Sequence, residues 1–383
     1  MKIFHVALAS VFNLEMDYQE NALIKQNLKD GLEVVLVTSC YIYNQNKIVE
    51  TPEEDIYISD KFRLIRLRYK FKLIPFFSQK IRAVKNLYGI LLDERPDIIF
   101  HHSLHTYELI TIKKYVKQYN AKFIVDGHED YHNSARNILS KYLLHKLYYK
   151  TIIKAVYKTI DKIFYISIES KNFLMEMYNL TENKMNFLPL GGVILDDDDY
   201  STVRLTYRRK LNIKADDILF LHTGKFDSNK KTEQLIKDFI DTHSSNQKLL
   251  LIGAFSNELS YLVDEISPYK NIIFVGWVPS QELDGFITAS DVYLQPGSQS
   301  ATMQKAACLR CALVLYPFIN HKFIFSDDEV IYLDENEDFE VLFSEKLMDF
   351  KYISKLRQNS YERSKTSLDY KILTSSVYEI LKK

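Results

Sequence analysis

Apolar residues in this chain come in short blocks separated by polar, turn-rich stretches. The first block, residues 2–9, is too short for a helix of its own and reads as a buried strand. A helical pattern follows over residues 18–29 and is closed by Gly31, a residue type that ends helices without strain. Residues 34–38, rich in β-branched side chains, form the next strand. The alternation continues with a strand at 96–100, a helix at 106–119, a strand at 122–126, a long helix at 135–157 and a strand at 162–166. Strands that are apolar throughout, alternating with helices, predict a parallel sheet covered on both faces.

The pattern pauses at Leu188-Pro189-Leu190-Gly191-Gly192 and the run Asp196-Asp197-Asp198-Asp199, which together read as a linker. The acidic run is expected to be a solvated loop and not a metal site. Strands then resume at 218–222, 248–252, 271–275, 292–294 and 312–316, with helices between them, and the chain reads mostly helical from Tyr352 onward. The predicted fold class is α/β, with two Rossmann-like doubly wound domains facing each other across a cleft. The expected bounds are 1–192 for the first domain and 193–360 for the second, with 361–383 a terminal helix that packs back on the first.

Composition supports this division. A chain of 383 residues with 46% apolar content is long for one core and comfortable for two. Fifty basic residues balance fifty acidic ones, so no nucleic-acid partner is expected. The halves differ: residues 1–190 carry 27 Lys and Arg against 21 Asp and Glu, and residues 191–383 carry 23 against 29. This asymmetry fits a membrane-surface preference of the first half and equally a compositional accident. Cys40, Cys308 and Cys311 are a sparse, odd set that predicts a reducing compartment and no disulfide framework. The single CxxC, Cys308 with Cys311, lacks a second pair for zinc and reads as buried thiols. No segment has a cleavable signal shape or approaches the ~20 apolar residues that span a bilayer. The expected location is cytoplasmic, with contact at the inner face of the membrane.

Open α/β sheets bind ligands beyond the carboxyl ends of their strands, so the chemistry is sought in the loops there. After strand 218–222 the chain reads Thr223-Gly224-Lys225-Phe226-Asp227-Ser228-Asn229-Lys230-Lys231, ahead of a helix with Leu235, Ile236, Phe239 and Ile240 on one face. Gly224 permits a tight turn. Lys225 and Lys230 put cations beside a positive helix end, an arrangement that favours an anion between them over a merely solvated helix start. After strand 292–294 comes Pro296-Gly297-Ser298-Gln299-Ser300-Ala301-Thr302-Met303-Gln304, opening a helix whose N–H groups suit an anion or an ordinary serine cap. Two such loops on neighbouring strands favour a diphosphate. Val275-Gly276-Trp277-Val278-Pro279 forms a turn against which a flat base can lie. Trp277, the only tryptophan, is expected to pack under helix 280–289, with base stacking as the alternative.

These loops, in this order, resemble the retaining glycosyltransferases of family 4, which have the two-domain B-type fold. The family's G-R-x₄-K reads here as Gly224-Lys225 and Lys230, with Lys in place of Arg. Its two glutamates after the later strand are replaced by Gly297 and Lys305, so Gln299 and Gln304 would supply hydrogen bonds without charge. The first half resembles members that build bacterial surface polysaccharides: Tyr18-Gln19-Glu20-Asn21 with Gly31-Leu32-Glu33-Val34, Asp126-Gly127-His128-Glu129-Asp130 with Asn133-Ser134-Ala135-Arg136, and Leu188-Pro189-Leu190-Gly191.

The resemblance implies a nucleotide-diphosphate sugar as donor and transfer with retention. Gly224, Trp277, Val278, Gly297, Ser298, Gln299, Ser300, Ala301, Thr302 and Gln304 would bind the donor, while Lys225 and Lys230 stabilise the leaving diphosphate. His128 would lie beside the reacting sugar, with Tyr18, Gln19, Asn21, Glu129 and Asp130 on the acceptor side. Neither metal nor cofactor is called for. A saccharide or lipid-linked acceptor is expected. Lys141, His145, Lys146, Lys150, Lys154 and Lys158, alternating with Leu144, Leu147, Ile152, Ile153 and Val156, make a basic amphipathic helix that suits a bilayer surface or a core with a solvated basic face. A sugar-nucleotide epimerase of similar fold and a non-catalytic partner that keeps the fold are the rival readings.

Overall fold

The computed structural model describes residues 1–44, 47–71, 75–333 and 339–379. The chain divides into two compact units, Met1–Pro189 with Leu373–Lys383, and Leu190–Ile372. Each is built on its own mostly parallel sheet.

The first unit contains β1 (Lys2–Ala7), β2 (Glu33–Ser39), a small antiparallel pair β3 (Tyr41–Asn44) and β4 (Lys47–Glu50), and β5 (Glu54–Ser59), β6 (Phe62–Leu67), β7 (Ile98–His102), β8 (Lys122–Gly127), β9 (Lys162–Tyr165) and β10 (Met185–Phe187). Eight of these form one sheet in the order β10-β9-β8-β7-β1-β2-β6-β5, parallel except for β5 on β6. The apolar runs anticipated at β1, β2, β7, β8 and β9 are its centre. Phe4, Val6, Ile99, Phe123, Val125 and Ile163 pack with helix residues Leu109, Ile112, Ile153 and Phe173 in one core. Burial of this kind stabilises by roughly 25 cal/mol per Å² of apolar surface. The edge strand β5 is mostly exposed, and Asp55 there pairs with Arg63 of β6, a charged edge of the kind that discourages further strand addition.

The second unit contains β11 (Ile218–Phe226), β12 (Gln247–Phe255), β13 (Ile272–Gly276), β14 (Val292–Gln295), β15 (Ala312–Leu315) and β16 (Ile331–Tyr332). They pair entirely in parallel in the order β13-β12-β11-β14-β15-β16. Its second anchor is ionic. Asp291, fully buried ahead of β14, accepts the Leu219 N–H and pairs with Arg204, Arg208 and Arg357. Three guanidinium groups hold its carboxyl below the usual carboxylate range against the opposing effect of burial.

Three expectations are corrected. The acidic run is not a loop: Asp196 caps helix Asp197–Lys210, its carboxylate accepting the Asp199 N–H. The other three aspartates occupy the first turn, where they complement the helix dipole. The long helix of 135–157 is shorter and composite. A π-helix, Ser140–Tyr149, leads into helix Lys150–Val156, while Ala135 has a left-handed backbone (φ 55°) that no helix tolerates. Within it His145 is buried and leaves the anticipated basic face, while Ile152, Ile153 and Val156 are buried as a core-facing apolar side and Lys146, Lys154 and, just beyond, Lys158 stay exposed. The third correction concerns Trp277 and belongs to the site below.

Cys40, Cys308 and Cys311 are buried and unpaired. Among the described residues no helix is long and apolar enough to cross a membrane.

Candidate functional site

In the second unit, β11 and β14 are adjacent, so the loops leaving their carboxyl ends emerge side by side. Gly224 takes φ +113°, and a Cβ there would lie 3.1 Å from Lys230 Cε and 3.2 Å from its Nζ. The glycine leaves room for the ammonium to lie close against the turn. At Gly297 a Cβ would fall 1.9 Å from the Asn229 carbonyl oxygen and 2.8 Å from Lys230 Cα. The two loops are in backbone contact there, and Gly224, Lys230 and Gly297 converge on one spot. Tyr293, buried on β14, supports both loops: its hydroxyl meets Thr223 Oγ1 at 2.9 Å and hydrogen-bonds Ser300 and Thr302. Burial pushes that phenol up to about 12.

Lys230 is half-buried, and no carboxylate lies within salt-bridge distance of it among the described residues. Burial pushes its ammonium below the usual lysine value, although Asp227 pulls the other way. Under it, His222 is buried and neutral, its pKa lowered to about 4 by burial. The imidazole donates from Nδ1 to the Leu294 carbonyl and accepts the Thr232 hydroxyl at Nε2. Lys225 is exposed and lines a neighbouring open cavity of about 500 Å³ with Asp227, Ser228, Asn229, Phe255, Ser256, Asn257 and Glu258.

The remaining donor-side candidates are spread along the two loops and the β13 turn. Ser298, Ser300 and Thr302 are half-buried, Gln299 and Ala301 exposed. The Thr302 N–H is satisfied by Ser300 Oγ, so this helix start is partly capped from within. Gln304 is buried and its carbonyl accepts the Gly191 N–H at 2.7 Å, a linker contact. Lys305 pairs with Asp284 at 3.2 Å. Trp277 does not pack under the following helix; it is 73% exposed, with Val278 half-buried beside it. The physical reason is that helix Ser280–Ala289 turns its buried face to helix Asp197–Lys210, where Gly285 lies against the Tyr207 ring and Phe286 meets it edge-on at 5.0 Å.

The first unit holds a second cluster at the carboxyl ends of β1, β7 and β8. His128, 31% exposed on its side chain, places Nε2 3.5 Å from Asp126 Oδ2. Burial alone would lower its pKa, but the buried Asp126 carboxylate, with Glu20 and Glu129 nearby, raises it to about 9. His128 is therefore an imidazolium at neutral pH. Burial alone would raise the Asp126 carboxyl, but the His102 ring bonded to it at 2.7 Å and the charged His128 hold it far below the usual carboxylate range. Its other oxygen accepts the Ser103 N–H at 2.8 Å. Ser103 has φ +92°, a strained conformation for a residue with a side chain, and its hydroxyl donates to Glu129 at 2.7 Å. Glu129 also meets His105 at 3.0 Å, and those partners hold it down to about 2.

Other acceptor-side candidates are partly committed to structure. Asp130 accepts the N–H groups of His132 and Asn133, closing a turn. Gln19 donates to the Leu188 and Pro189 carbonyls, and Asn21 to the Asn13 carbonyl. Gln19 Oε1 and Asn21 Oδ1 are buried without a hydrogen-bond partner. Tyr18 is exposed at the start of that helix. Among the described residues no three His, Cys, Asp or Glu side chains are grouped to hold a metal ion.

The sequence alone puts Asp126 in the His128 loop without a role, and assigns none to His102, Ser103, His105 and Tyr293. The signal available was the run His101-His102-Ser103-Leu104-His105, three histidines in five residues at the end of an apolar strand.

Residues 203–302 match the family model described as glycosyl transferases group 1. No curated protein matches the chain in sequence. Solved structures of similar fold include a glycosyltransferase from Rickettsia africae, 15% identical with a TM-score of 0.70, covering 100% of this chain and 99% of that one. Sucrose-phosphate synthase from Thermosynechococcus elongatus is 15% identical with a TM-score of 0.68 and coverage of 100% and 98%. Anabaena HepE in complex with UDP is 10% identical with a TM-score of 0.65 and coverage of 100% and 99%. These likenesses span the whole chain and define its fold as the B-type glycosyltransferase fold.

Proposed function

We propose that this protein is a family 4 type retaining glycosyltransferase that moves a sugar from a nucleotide-diphosphate donor to a saccharide or lipid-linked saccharide acceptor in bacterial surface-glycan synthesis. The observation that carries this reading is Lys230. A half-buried ammonium with no carboxylate at salt-bridge distance among the described residues is costly, and this one sits between two glycine turns at the ends of adjacent parallel strands. An anion at that spot supplies the missing charge. The family match over residues 203–302 and the UDP held by the HepE structure support a nucleotide donor.

In this reading Lys230, Lys225 and the backbone around Gly297–Thr302 stabilise the charge that grows on the leaving diphosphate. Trp277 and Val278 receive the base, and the exposed indole is free to stack on it. The second unit needs no metal for this, because its lysines meet the phosphate charge. His128, protonated at neutral pH, acts as a hydrogen-bond donor to the sugar region and not as a base. Retention then requires no covalent nucleophile, and the leaving phosphate takes the acceptor proton.

Contact with a bilayer is part of the proposal. Around the π-helix, Ile138, Leu139, Tyr142, Leu143 and Leu147 are all exposed, interleaved with Lys141 and Lys146. Exposed apolar side chains among lysines suit an anionic lipid surface and a lipid-linked acceptor.

A thermal-shift panel of nucleotide sugars identifies the donor, since a ligand at 100 times its Kd adds about 2.7 kcal/mol. With that donor, Lys230→Ala is expected to lower kcat by about 10²–10³-fold. Unchanged turnover in the variant overturns the diphosphate site. Isomerisation of the donor without acceptor would mark an epimerase, and no nucleotide binding at all would mark a non-catalytic partner.

A further inference from the structure

Behind His128 the first unit contains a largely buried chain of polar groups drawn from five separate segments. Tyr378, in the last helix (Tyr370–Tyr378), donates its hydroxyl to Asn27 Oδ1. Asn27, itself buried in helix Gln19–Lys29, places Nδ2 2.8 Å from His5 Nε2. His5, fully buried on β1, places Nδ1 2.9 Å from His102 Nε2, with the two rings stacked at 5.2 Å and 5°. His102, at the end of β7, places Nδ1 2.7 Å from Asp126 Oδ2.

With the Tyr378 hydroxyl donating to Asn27 Oδ1, as the structure has it, the directions of the other bonds follow. A carboxylate only accepts, so His102 Nδ1 carries a proton. The Tyr378 hydroxyl fixes the Asn27 amide so that its nitrogen faces His5, and an amide nitrogen only donates. His5 Nε2 is therefore the acceptor and His5 Nδ1 the donor, which leaves His102 Nε2 as an acceptor without a proton. All four donors point toward Asp126. Two histidines, His102 and His128, compete for that single carboxylate.

We propose that Tyr378, Asn27 and His5 are positioning residues that lock His102 in its neutral Nδ1–H form, so that the Asp126 charge is left to hold His128 as an imidazolium. The inference rests on the reading of His128 as a group of the acceptor site. It adds that the last helix, through one hydroxyl, sets the ionisation of that group. The groups facing His128 are Asp126, Glu129 and Glu20, and those facing His102 are His5, His101 and Asp126. Asp30, 3.3 Å from the Tyr378 hydroxyl, is the competing acceptor at the surface end. If Tyr378 turned to it, the amide could reverse and His102 could take a second proton.

Histidine ¹⁵N NMR on the full chain tests this without substrate. At pH 7 His5 and His102 should both appear as neutral Nδ1–H tautomers and His128 as the doubly protonated form. Tyr378→Phe keeps the ring and removes only the first donor. It should make the doubly protonated form of His102 visible and lower the His128 midpoint by roughly one unit or more. His5→Leu should do the same, and His5→Asn, whose amide nitrogen can occupy the Nδ1 position, should restore the wild-type pattern. A doubly protonated His102 in the wild type, a His5 Nε2–H tautomer, or a His128 midpoint that Tyr378→Phe moves by less than about 0.2 unit overturns the proposal. If the His5 variants fail to fold, Tyr378→Phe carries the test alone. These spectra are independent of turnover, so the relay can stand while transfer activity fails, and the reverse.

Discussion

Gly297 shows how much of the donor site depends on a side chain that is not there. Its backbone lies so close to Asn229 and Lys230 that even a methyl group would meet the Asn229 carbonyl oxygen at 1.9 Å. That obstacle is backbone, which cannot swing aside as a flexible side chain can. Gly297→Ala must therefore push the two loops apart and carry Lys230 away from its place over Gly224. Nucleotide affinity is expected to fall at least tenfold, about 1.4 kcal/mol, in isothermal titration with whichever nucleotide the wild type binds. Affinity within a factor of two of wild type would mean that the loops are not a joint site. Ser103 makes the complementary point in the first unit. Its left-handed backbone is held by bonds to two carboxylates, Asp126 and Glu129, so strain is concentrated beside His128.

At the scale of elements, the segment from Ile138 to Val156 divides into two kinds of surface. Its second part, with Ile152, Ile153 and Val156, is core. Its first part leaves Ile138 79% and Leu147 63% exposed, with Lys146 4.6 Å over the Tyr142 ring. Leu143→Asp with Leu147→Asp places two carboxylates on that patch without touching the core. The pair should abolish co-sedimentation with anionic vesicles and leave transfer to a soluble acceptor intact. Equal sedimentation of wild type and variant would remove the bilayer from the proposal. The same segment marks where sequence was legible and where it was not. Strands β7, β8, β11, β12 and β14 are continuous apolar runs, and buried parallel strands write themselves that way. The loops after β11 and β14 could be found from them by chain order alone. A π-helix has no apolar period to separate it from an α-helix over ten residues. Edge strand β5 is exposed on most of its length and offers no run to read. The polar chain from Tyr378 to Asp126 was illegible for a deeper reason: its members come from β1, β7, β8, an early helix and the last helix, and only the fold brings them together.

For the whole molecule, the distribution of buried histidines sets how stability depends on pH. His5, His101 and His145 in the first unit and His222 in the second are held neutral by burial. His101, His145 and His222 are lowered to about 4, and His5 is well below its ordinary 6.5. A histidine with a lowered folded pKa binds its proton more readily when unfolded, so its contribution is full above 6.5 and is lost as pH falls toward 4. Each such group costs up to about 3 kcal/mol over that range. His128 has the opposite sign. Raised to about 9, it contributes fully below 6.5 and loses its contribution as pH climbs through 9. Asp126 and Glu129, both held low, add to the acid side, because their contribution vanishes as they protonate below the ordinary carboxylate range. Among these buried groups and Asp291, the first unit therefore holds three lowered histidines and two low carboxylates, Asp126 and Glu129, and the second unit holds His222 and the low carboxylate Asp291. Stability should peak near neutral pH, fall gently on the alkaline side and steeply on the acid side, with the first unit opening before the second. Hydrogen exchange read by mass spectrometry between pH 7 and 4.5 resolves the order. Peptides from β1, β7 and β8 should lose protection at higher pH than those from β11, β12 and β14. Simultaneous loss in both, or earlier loss in the second unit, would mean that the buried histidine cluster does not govern the acid transition.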